Sequence, residues 1–108
     1  MLIMFRSSIS LLQVIKFIGR KSLVLSSSAT VYGDPVYLPL DEDHPKAPTN
    51  AYGRCKLHIE EVLKDVANSD EDWKIIRLLF FNPVGDHESG LIGEIPNGTP
   101  NNLIPYIS

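Results

Sequence analysis

The sequence is poor in cysteine and has no long apolar run. Cys55 is its one cysteine in 108 residues, which excludes an internal disulfide framework and makes a reducing cytoplasm the simplest expected compartment. No CxxC pair occurs, and His44, His58 and His87 are scattered, so we expect surface histidines rather than a metal site. No apolar run approaches the roughly 20 residues of a membrane span. The net charge of −3 gives no reason to expect nucleic acid or a membrane surface as a partner.

Acidic residues are also missing from residues 1–33, which carry only basic charges, as many targeting segments do. Two polar residues, Gln13 and Lys16, interrupt the apolar stretch that a signal peptide would need. Leucine and isoleucine recur there at helical spacing instead. We therefore favour an amphipathic helix over about residues 8–18, ended by Gly19.

Helical and strand-like patterns then alternate along the chain. Leu23–Leu25 is typical of a strand buried on both faces of a parallel sheet, and it ends in the hydroxyl-rich stretch 26–30. Proline and acidic residues crowd 33–50, which predicts a loop. A helix and a second strand, Trp73–Phe81, follow. This alternation predicts an α/β protein with a parallel sheet.

The second helix is predicted from a residue at its start, Thr49 or Asn50, that can cap it, to about Val66. Apolar residues step by three and four along one face of this helix. The acidic and basic residues are assigned to the opposite, polar face: Glu60, Glu61, Lys64 and Asp65.

Tyr52 and Lys56 are four residues apart, so they lie on one face of this predicted helix. A phenol is a poor base at neutral pH until a fixed positive charge stabilises its phenolate, and a lysine one turn on supplies that charge. Ser28, at the end of the first strand, is placed to face the same crevice, because ligands bind outside the carboxyl ends of parallel strands. Hydroxyl, phenol and lysine together suit alcohol oxidation by hydride transfer.

Four segments occur in an order that resembles one enzyme family. They read Ser-Ser-Ser-Ala-Thr-Val-Tyr-Gly at 26–33, Tyr-Gly-Arg-Cys-Lys at 52–56, Phe-Asn-Pro-Val-Gly at 81–85 and Gly-Thr-Pro-Asn-Asn-Leu-Ile-Pro-Tyr at 98–106. The sequence resembles the UDP-glucose 4-epimerase branch of the extended short-chain dehydrogenase/reductases, over nearly its whole length. Tyr-x-x-x-Lys marks the superfamily, whereas Asn-Pro-Val-Gly and Pro-Asn-Asn-Leu point to the epimerase branch.

The resemblance implies a role for each matching residue. Ser28 corresponds to the serine that holds the 4-oxygen of the sugar, Tyr52 to the base that exchanges its proton, and Lys56 to the lysine that binds the nicotinamide ribose and tunes the tyrosine. In this family NAD removes hydride from sugar C4 and returns it to the other face, which interconverts UDP-glucose and UDP-galactose. The resemblance also implies that the three catalytic residues contact the cofactor.

Other matching positions belong to the walls of the same crevice. Phe81 corresponds to a cofactor contact, and the predicted substrate contacts are Thr30, Asn82, Asn102 and Leu103. The implied fold is part of a doubly wound parallel sheet, the second half of a Rossmann-type NAD-binding domain, over residues 1–82. Residues 83–108 would begin the UDP-sugar-binding region. Family members commonly dimerise through helices that include the tyrosine-bearing one, so a homodimer is expected.

The sequence also departs from the family pattern. A glycine-rich dinucleotide-binding turn does not occur in it, and that turn supplies much of the affinity for the pyrophosphate, so we expect a truncated epimerase that is inactive by itself. The family typically has Arg-Tyr-Phe where this chain reads Leu79-Phe80-Phe81, and Arg77 lies two residues earlier on the same strand face. These departures weigh against full activity.

Two other functions remain open from the sequence. One is another NAD-dependent sugar-nucleotide enzyme, such as a dehydratase or decarboxylase, although the acid/base pair expected near the strand end is not present at 28–30. The other is a non-catalytic remnant or interaction module that binds a partner through its sheet edge and helix face. Cofactor binding separates the second possibility from an epimerase.

Overall fold

A computed structural model describes residues 2–82, 85, 87–89, 91 and 98 of the chain. Its regular elements are, in chain order, helix α1, strand β1, a short 3₁₀ turn, helix α2 and strand β2. They span Leu2–Phe17, Ser22–Ser28, Ala29–Val31, Ala51–Ser69 and Lys74–Phe80. The predicted α/β order is therefore confirmed. The predicted boundary between residues 82 and 83 is followed by a segment that lies mostly outside the described residues.

The two strands pair in parallel and in full register, from Ser22 opposite Lys74 to Ser28 opposite Phe80. A parallel pair needs a crossover connection, and α2 supplies it. Both strands therefore end at one edge of the sheet. This edge brings the hydroxyl-rich end of β1 next to the aromatic end of β2.

The core lies between the two helices and one face of the sheet. Its buried residues come from α1, α2 and the residue before β2: Leu12, Ile15, Cys55, Ile59, Leu63 and Trp73. Leu23, Leu25 and Ile75 pack against them from the sheet. Burial of this face is the main stabilising contribution, because each large apolar side chain fully removed from water contributes about 1.5–3 kcal/mol.

The prediction that β1 is buried on both faces is wrong for the described part of the chain. Val24 is 58% exposed, and its partner on β2, Ile76, is 57% exposed. Successive side chains of a strand point to opposite faces, and the described helices pack only on the face that Leu23 and Leu25 occupy. A continuous apolar run in sequence therefore gives one covered and one uncovered face here.

The N-terminal segment is helical, as its periodicity predicts, but it starts earlier than expected. α1 spans Leu2–Phe17, and Gly19 follows with φ +72°, the left-handed conformation that favours glycine after a helix. The Arg20 N–H donates back to the Ile15 carbonyl, which closes the helix end. No helix in the described residues combines the length and apolarity that crossing a membrane requires.

Candidate active site at the carboxyl end of the sheet

Ser28 is the last residue of β1 and also the cap of the 3₁₀ turn that follows. Its Oγ accepts hydrogen bonds from the Thr30 N–H at 3.3 Å and from the Thr30 hydroxyl at 3.0 Å. A hydroxyl has two acceptor positions and one donor, so these bonds leave the Ser28 proton available to donate. Ser28 thus presents a donor at the sheet edge where ligands of such folds bind.

Helix α2 begins beside this strand end, and Asn50 fixes where it starts. The Asn50 side-chain oxygen accepts from the Gly53 N–H at 2.7 Å, the N-cap interaction that the sequence predicts for Asn50 or Thr49. This cap places Tyr52 in the first turn of the helix. The Tyr52 side chain is 49% exposed, so its phenol is accessible from solvent.

Gly53 allows the start of α2 to pack directly on the turn after β1. A Cβ added at Gly53 would lie 2.5 Å from the Thr30 carbonyl oxygen and 2.9 Å from the Pro48 side chain. Contacts that close do not occur for real side chains, so any larger residue must push helix and turn apart. The glycine after the tyrosine in Tyr-Gly-x-x-Lys therefore has a steric reason in this fold.

Lys56 joins the helix to the strand at the next turn. Its Nζ donates to the Ser26 carbonyl at 2.7 Å and lies 5.6 Å from the centroid of the Tyr52 ring. At that distance the ammonium and the ring attract each other electrostatically. The predicted tyrosine–lysine pair is thus brought together, and it is attached to the strand end that bears Ser28.

The sequence predicts Glu60 on the polar face of the helix, and the structure shows that this prediction is wrong. Its side chain is fully buried, and its Oε1 accepts from the Ser27 hydroxyl. Its Oε2 accepts from the Lys46 ammonium and, at 3.4 Å, from Arg77 Nη1. A carboxylate tolerates burial when it is paired and hydrogen-bonded in this way. The sequence contains one signal for this residue, its spacing: Glu60 lies one helical turn beyond Lys56 and two turns beyond Tyr52.

His44 was expected at the surface, but it is 2% exposed. The Val36 N–H donates to its Nε2 at 3.0 Å, and its Nδ1 donates to the Pro45 carbonyl at 2.7 Å, which is the arrangement of a neutral imidazole. The ring also packs on Tyr37, at 4.6 Å between centroids. His44 therefore shapes the 33–50 loop from within, because its hydrogen bonds all go to the loop backbone. Among the described residues, no cluster of histidine, cysteine and carboxylate side chains has the makeup of a metal site.

The loop carries an acidic patch near the site. The Tyr37 hydroxyl donates to Asp41 at 2.7 Å, and this hydrogen bond to a carboxylate raises the pKa of Tyr37 to about 12.

A cleft of about 410 Å³ runs between this loop and the end of β2. Its lining includes Tyr32, Leu40, Asp41 and Glu42 from the loop side and Arg77 to Phe81 from the strand side. The cleft is large enough for part of a small ligand.

The remaining predicted site residues are distributed around this edge. Phe81 lines the cleft and is 57% exposed. Thr30 lies on the turn after β1, and Asn82 directly follows Phe81; both are exposed. Asn102 and Leu103 lie outside the described residues. Three of the predicted residues therefore lie on the end of β1 and the start of α2, which pack closely at Gly53: Ser28, Tyr52 and Lys56.

A profile of the NAD dependent epimerase/dehydratase family matches residues 2–108, nearly the whole chain. Similar proteins include the UDP-glucose 4-epimerase of Homo sapiens, 55% identical over 102 residues, and UDP-glucose 4-epimerase 2 of Arabidopsis thaliana, 57% identical over 100 residues. These matches cover 94% and 93% of this chain but 29% of each relative. The chain therefore spans less than a third of the length of the relatives it matches.

Solved structures give the same relationship at the level of the fold. The UDP-glucose 4-epimerase of Bifidobacterium longum, crystallised with NAD+ and UDP, superposes with a TM-score of 0.77 at 51% identity, over 94% of this chain and 30% of that one. The Stenotrophomonas maltophila enzyme, crystallised with NAD and formylated UDP-arabinopyranose, gives 0.79 at 49% identity, over 93% and 30%. These neighbours confirm the Rossmann-type fold class. With the profile match, they establish that this chain belongs to the NAD dependent epimerase/dehydratase family.

Proposed function

We propose that this chain carries the catalytic residues of a UDP-glucose 4-epimerase, which interconverts UDP-glucose and UDP-galactose with NAD as its cofactor. The observation that carries the proposal is the attachment of Lys56 to both the Ser26 carbonyl and the Tyr52 ring. This arrangement joins the proton-transfer helix to the hydroxyl-bearing strand end. The identity to UDP-glucose 4-epimerases of two kingdoms supports the choice of reaction.

Ser28 has the role of holding the 4-oxygen of the sugar. Its Oγ is fixed by two hydrogen bonds from Thr30, so the direction of its remaining proton is restricted. A donor fixed in advance stabilises charge that develops on a substrate oxygen without reorganising during the reaction. Ser28 is accordingly proposed as the oxygen-binding group, with Thr30 as its support and as a wall of the substrate site.

Tyr52 has the role of the acid/base. In its phenolate form, the exposed Tyr52 side chain would take the proton from the 4-hydroxyl group as the sugar is oxidised, and would return that proton to the 4-oxygen as the sugar is reduced to the other stereoisomer. Lys56 supplies a positive charge beside the ring throughout this cycle. The Ser26 carbonyl uses one of the three Lys56 donors, which leaves two for other partners.

The donor set at this edge fits a nicotinamide nucleotide. The two unused Lys56 donors match the hydroxyl groups of a ribose, and Phe81 offers an exposed aromatic surface beside the end of β2. Bound NAD would supply the hydride acceptor and donor. We propose that NAD contacts four residues of this chain: Ser28, Tyr52, Lys56 and Phe81. All four lie within residues 1–82, the proposed part of the NAD-binding domain.

The sugar nucleotide is proposed to contact Thr30 and Asn82, together with Asn102 and Leu103 in the proposed UDP-sugar-binding region, residues 83–108. We also propose that these 108 residues do not turn over substrate alone, because the sequence contains no glycine-rich turn for the pyrophosphate. Isothermal titration of the folded chain with NAD, with and without UDP-glucose, tests the missing cofactor affinity. Saturable NAD binding would contradict it. Homodimerisation and a cytoplasmic location remain predictions.

The reaction itself is tested by exchange of segments. The 102 matched residues of the human relative are replaced by those of this chain, and the conversion of UDP-galactose to UDP-glucose is measured. An active hybrid that loses activity on Tyr52→Phe and on Lys56→Met supports the proposal. A folded hybrid without activity, or one that is indifferent to Tyr52→Phe, contradicts it.

A further inference from the structure

Glu60 is the most heavily bonded buried side chain near the candidate site. Its carboxylate has no exposure, and it accepts from three groups: the Ser27 hydroxyl, the Lys46 ammonium and Arg77 Nη1. Lys46 and Arg77 retain 20% and 40% of their side-chain exposure. The carboxylate is therefore the buried centre, and its two cations reach it from the protein surface.

The partners of Glu60 lie next to the proposed catalytic groups. Lys56 and Glu60 are one helical turn apart on α2, and they bind consecutive residues of β1: Lys56 the Ser26 carbonyl and Glu60 the Ser27 hydroxyl. The next residue is Ser28. Two adjacent contacts from α2 thus fix the two strand residues that directly precede the proposed oxygen-binding group.

Lys46 connects the same carboxylate to the 33–50 loop. The neighbouring Ala47 N–H donates to the Tyr32 carbonyl at 3.3 Å, and Ala47 forms an isolated bridge with Gly33. Gly33 has φ +69°, and a Cβ there would lie 1.9 Å from the Ala47 carbonyl oxygen. The two ends of the loop are therefore in close contact at the point where Lys46 is anchored to Glu60.

We propose that Glu60 is a positioning residue of this site, which holds Ser28 through Ser27 and the cleft-lining loop through Lys46 in a fixed relation to Tyr52. The proposal rests on the function proposed above and adds a residue that does not touch substrate or cofactor. Arg77 contributes a second positive charge to the buried carboxylate. Arg77 therefore places a positive charge on β2, on the same strand face as Leu79. The family pattern has its arginine at the position of Leu79.

The test uses the purified chain and three variants: Glu60→Gln, Lys46→Met and the double variant. Glu60→Gln keeps the size of the side chain and removes its charge. Glu61→Gln is the matched control, because Glu61 is the adjacent acid and is exposed. Amide hydrogen exchange is measured at Ala47 and along the β1–β2 ladder, and the NMR signals of the Ser28 and Thr30 side chains are compared.

Each single variant is expected to speed exchange at the Ala47 amide by about tenfold or more, while ladder amides change much less, because only the loop loses its anchor. Glu60→Gln is also expected to shift the Ser28 and Thr30 signals, and Glu61→Gln is not. The double variant is expected to exchange no faster at Ala47 than the faster single variant, since both remove one interaction.

The proposal is overturned if hydrogen exchange accelerates equally at all amides, or if the effects of Glu60→Gln and Lys46→Met multiply in the double variant. Either result would make Glu60 a general stabilising group. Unchanged Ser28 signals in Glu60→Gln would overturn it as well. If Glu60→Gln does not fold, Lys46→Met decides by the same loop-against-ladder comparison. These measurements involve no substrate or cofactor, so a failure of the epimerase function is seen separately, in the hybrid enzyme.

Discussion

At the scale of residues, three consecutive serines at the end of β1 take three different parts. The Ser26 carbonyl accepts from Lys56, the Ser27 hydroxyl donates to Glu60, and the Ser28 hydroxyl accepts twice from Thr30, which leaves its own proton available. Alternation along a strand explains the difference, because Ser27 points to the covered face and is 2% exposed. The serine run therefore provides two attachment points for helix α2, at Ser26 and Ser27, and one candidate site residue, Ser28.

The sequence predicts the Tyr52–Lys56 pair from local spacing, and the structure brings these two residues together beside the end of β1. The roles of Ser28, Tyr52 and Lys56 remain proposals. Glu60 was missed because its burial depends on cations 14 and 17 residues away, Lys46 and Arg77, which become neighbours only when the loop and β2 fold against α2. The burial of His44 likewise depends on a loop path that no periodic pattern describes.

The raised pKa of Tyr37 gives a prediction for alkaline pH. The folded state favours the neutral phenol, because it donates to Asp41. Its stabilising contribution should be complete below the ordinary pKa of 10.0 and should be lost as the pH rises from there to about 12. The difference in free energy of unfolding between the native chain and Tyr37→Phe should therefore be constant up to pH 10 and shrink above it. A difference that stays constant through this range would show that the hydrogen bond is absent.

At the scale of elements, the start of α2 decides where the tyrosine lies. The periodic apolar positions predicted the helix, and Asn50 was one of two candidates for its cap. Its end is predicted near Val66 and lies at Ser69, with Asp70 as the C-cap in an extended conformation. The close contact with the 3₁₀ turn could not be predicted, since it joins Thr30 and Gly53, which are 23 positions apart.

Removing the cap should loosen this helix start. Asn50→Ala loses the acceptor for the Gly53 N–H, and such changes lower the free energy of unfolding by about 1 kcal/mol. Asn50→Asp keeps an acceptor oxygen and should stay within a few tenths of a kcal/mol of the native chain. Urea denaturation of the three proteins measures the difference. Equal losses for both variants would mean that the side chain does not act as a cap.

The substitution Gly53→Ala has two opposing effects on the stability of the protein. Alanine favours a helix over glycine by about 1 kcal/mol. The added methyl group would, however, approach the Thr30 carbonyl to 2.5 Å, and overpacking of this kind costs about 1–3 kcal/mol. We expect net destabilisation, together with shifted NMR signals of Thr30 and Ser28. A stabilised protein with unchanged signals would show that helix and turn are farther apart than described.

At the scale of the whole molecule, the described sheet is covered on one face and uncovered on the other. The exposed face carries Val24, Ile76, Leu78 and Phe80, each 45% exposed or more. Contiguous apolar surface of this kind promotes association in water. The order of the strands could be predicted from their alternation with helices, but the uncovered face could not, because a continuous apolar run does not say which neighbours are present.

The uncovered face should control self-association of the chain. Val24→Thr and Ile76→Thr together should reduce association in sedimentation experiments and leave the free energy of unfolding nearly unchanged, because both side chains are more than half exposed. Leu25→Thr, which alters the covered face, should destabilise the protein instead. Association that persists in the double variant would place the contact on another surface.

The central claim is that Ser28, Tyr52 and Lys56 of this chain form one working site. The most direct measurement is the ratio of turnover numbers for UDP-galactose between the hybrid enzyme that carries this segment and its Tyr52→Phe form. A lost acid/base should lower turnover by about a hundredfold or more, while the secondary structure stays unchanged. A ratio near one, or no activity in a well-folded hybrid, would contradict the claim.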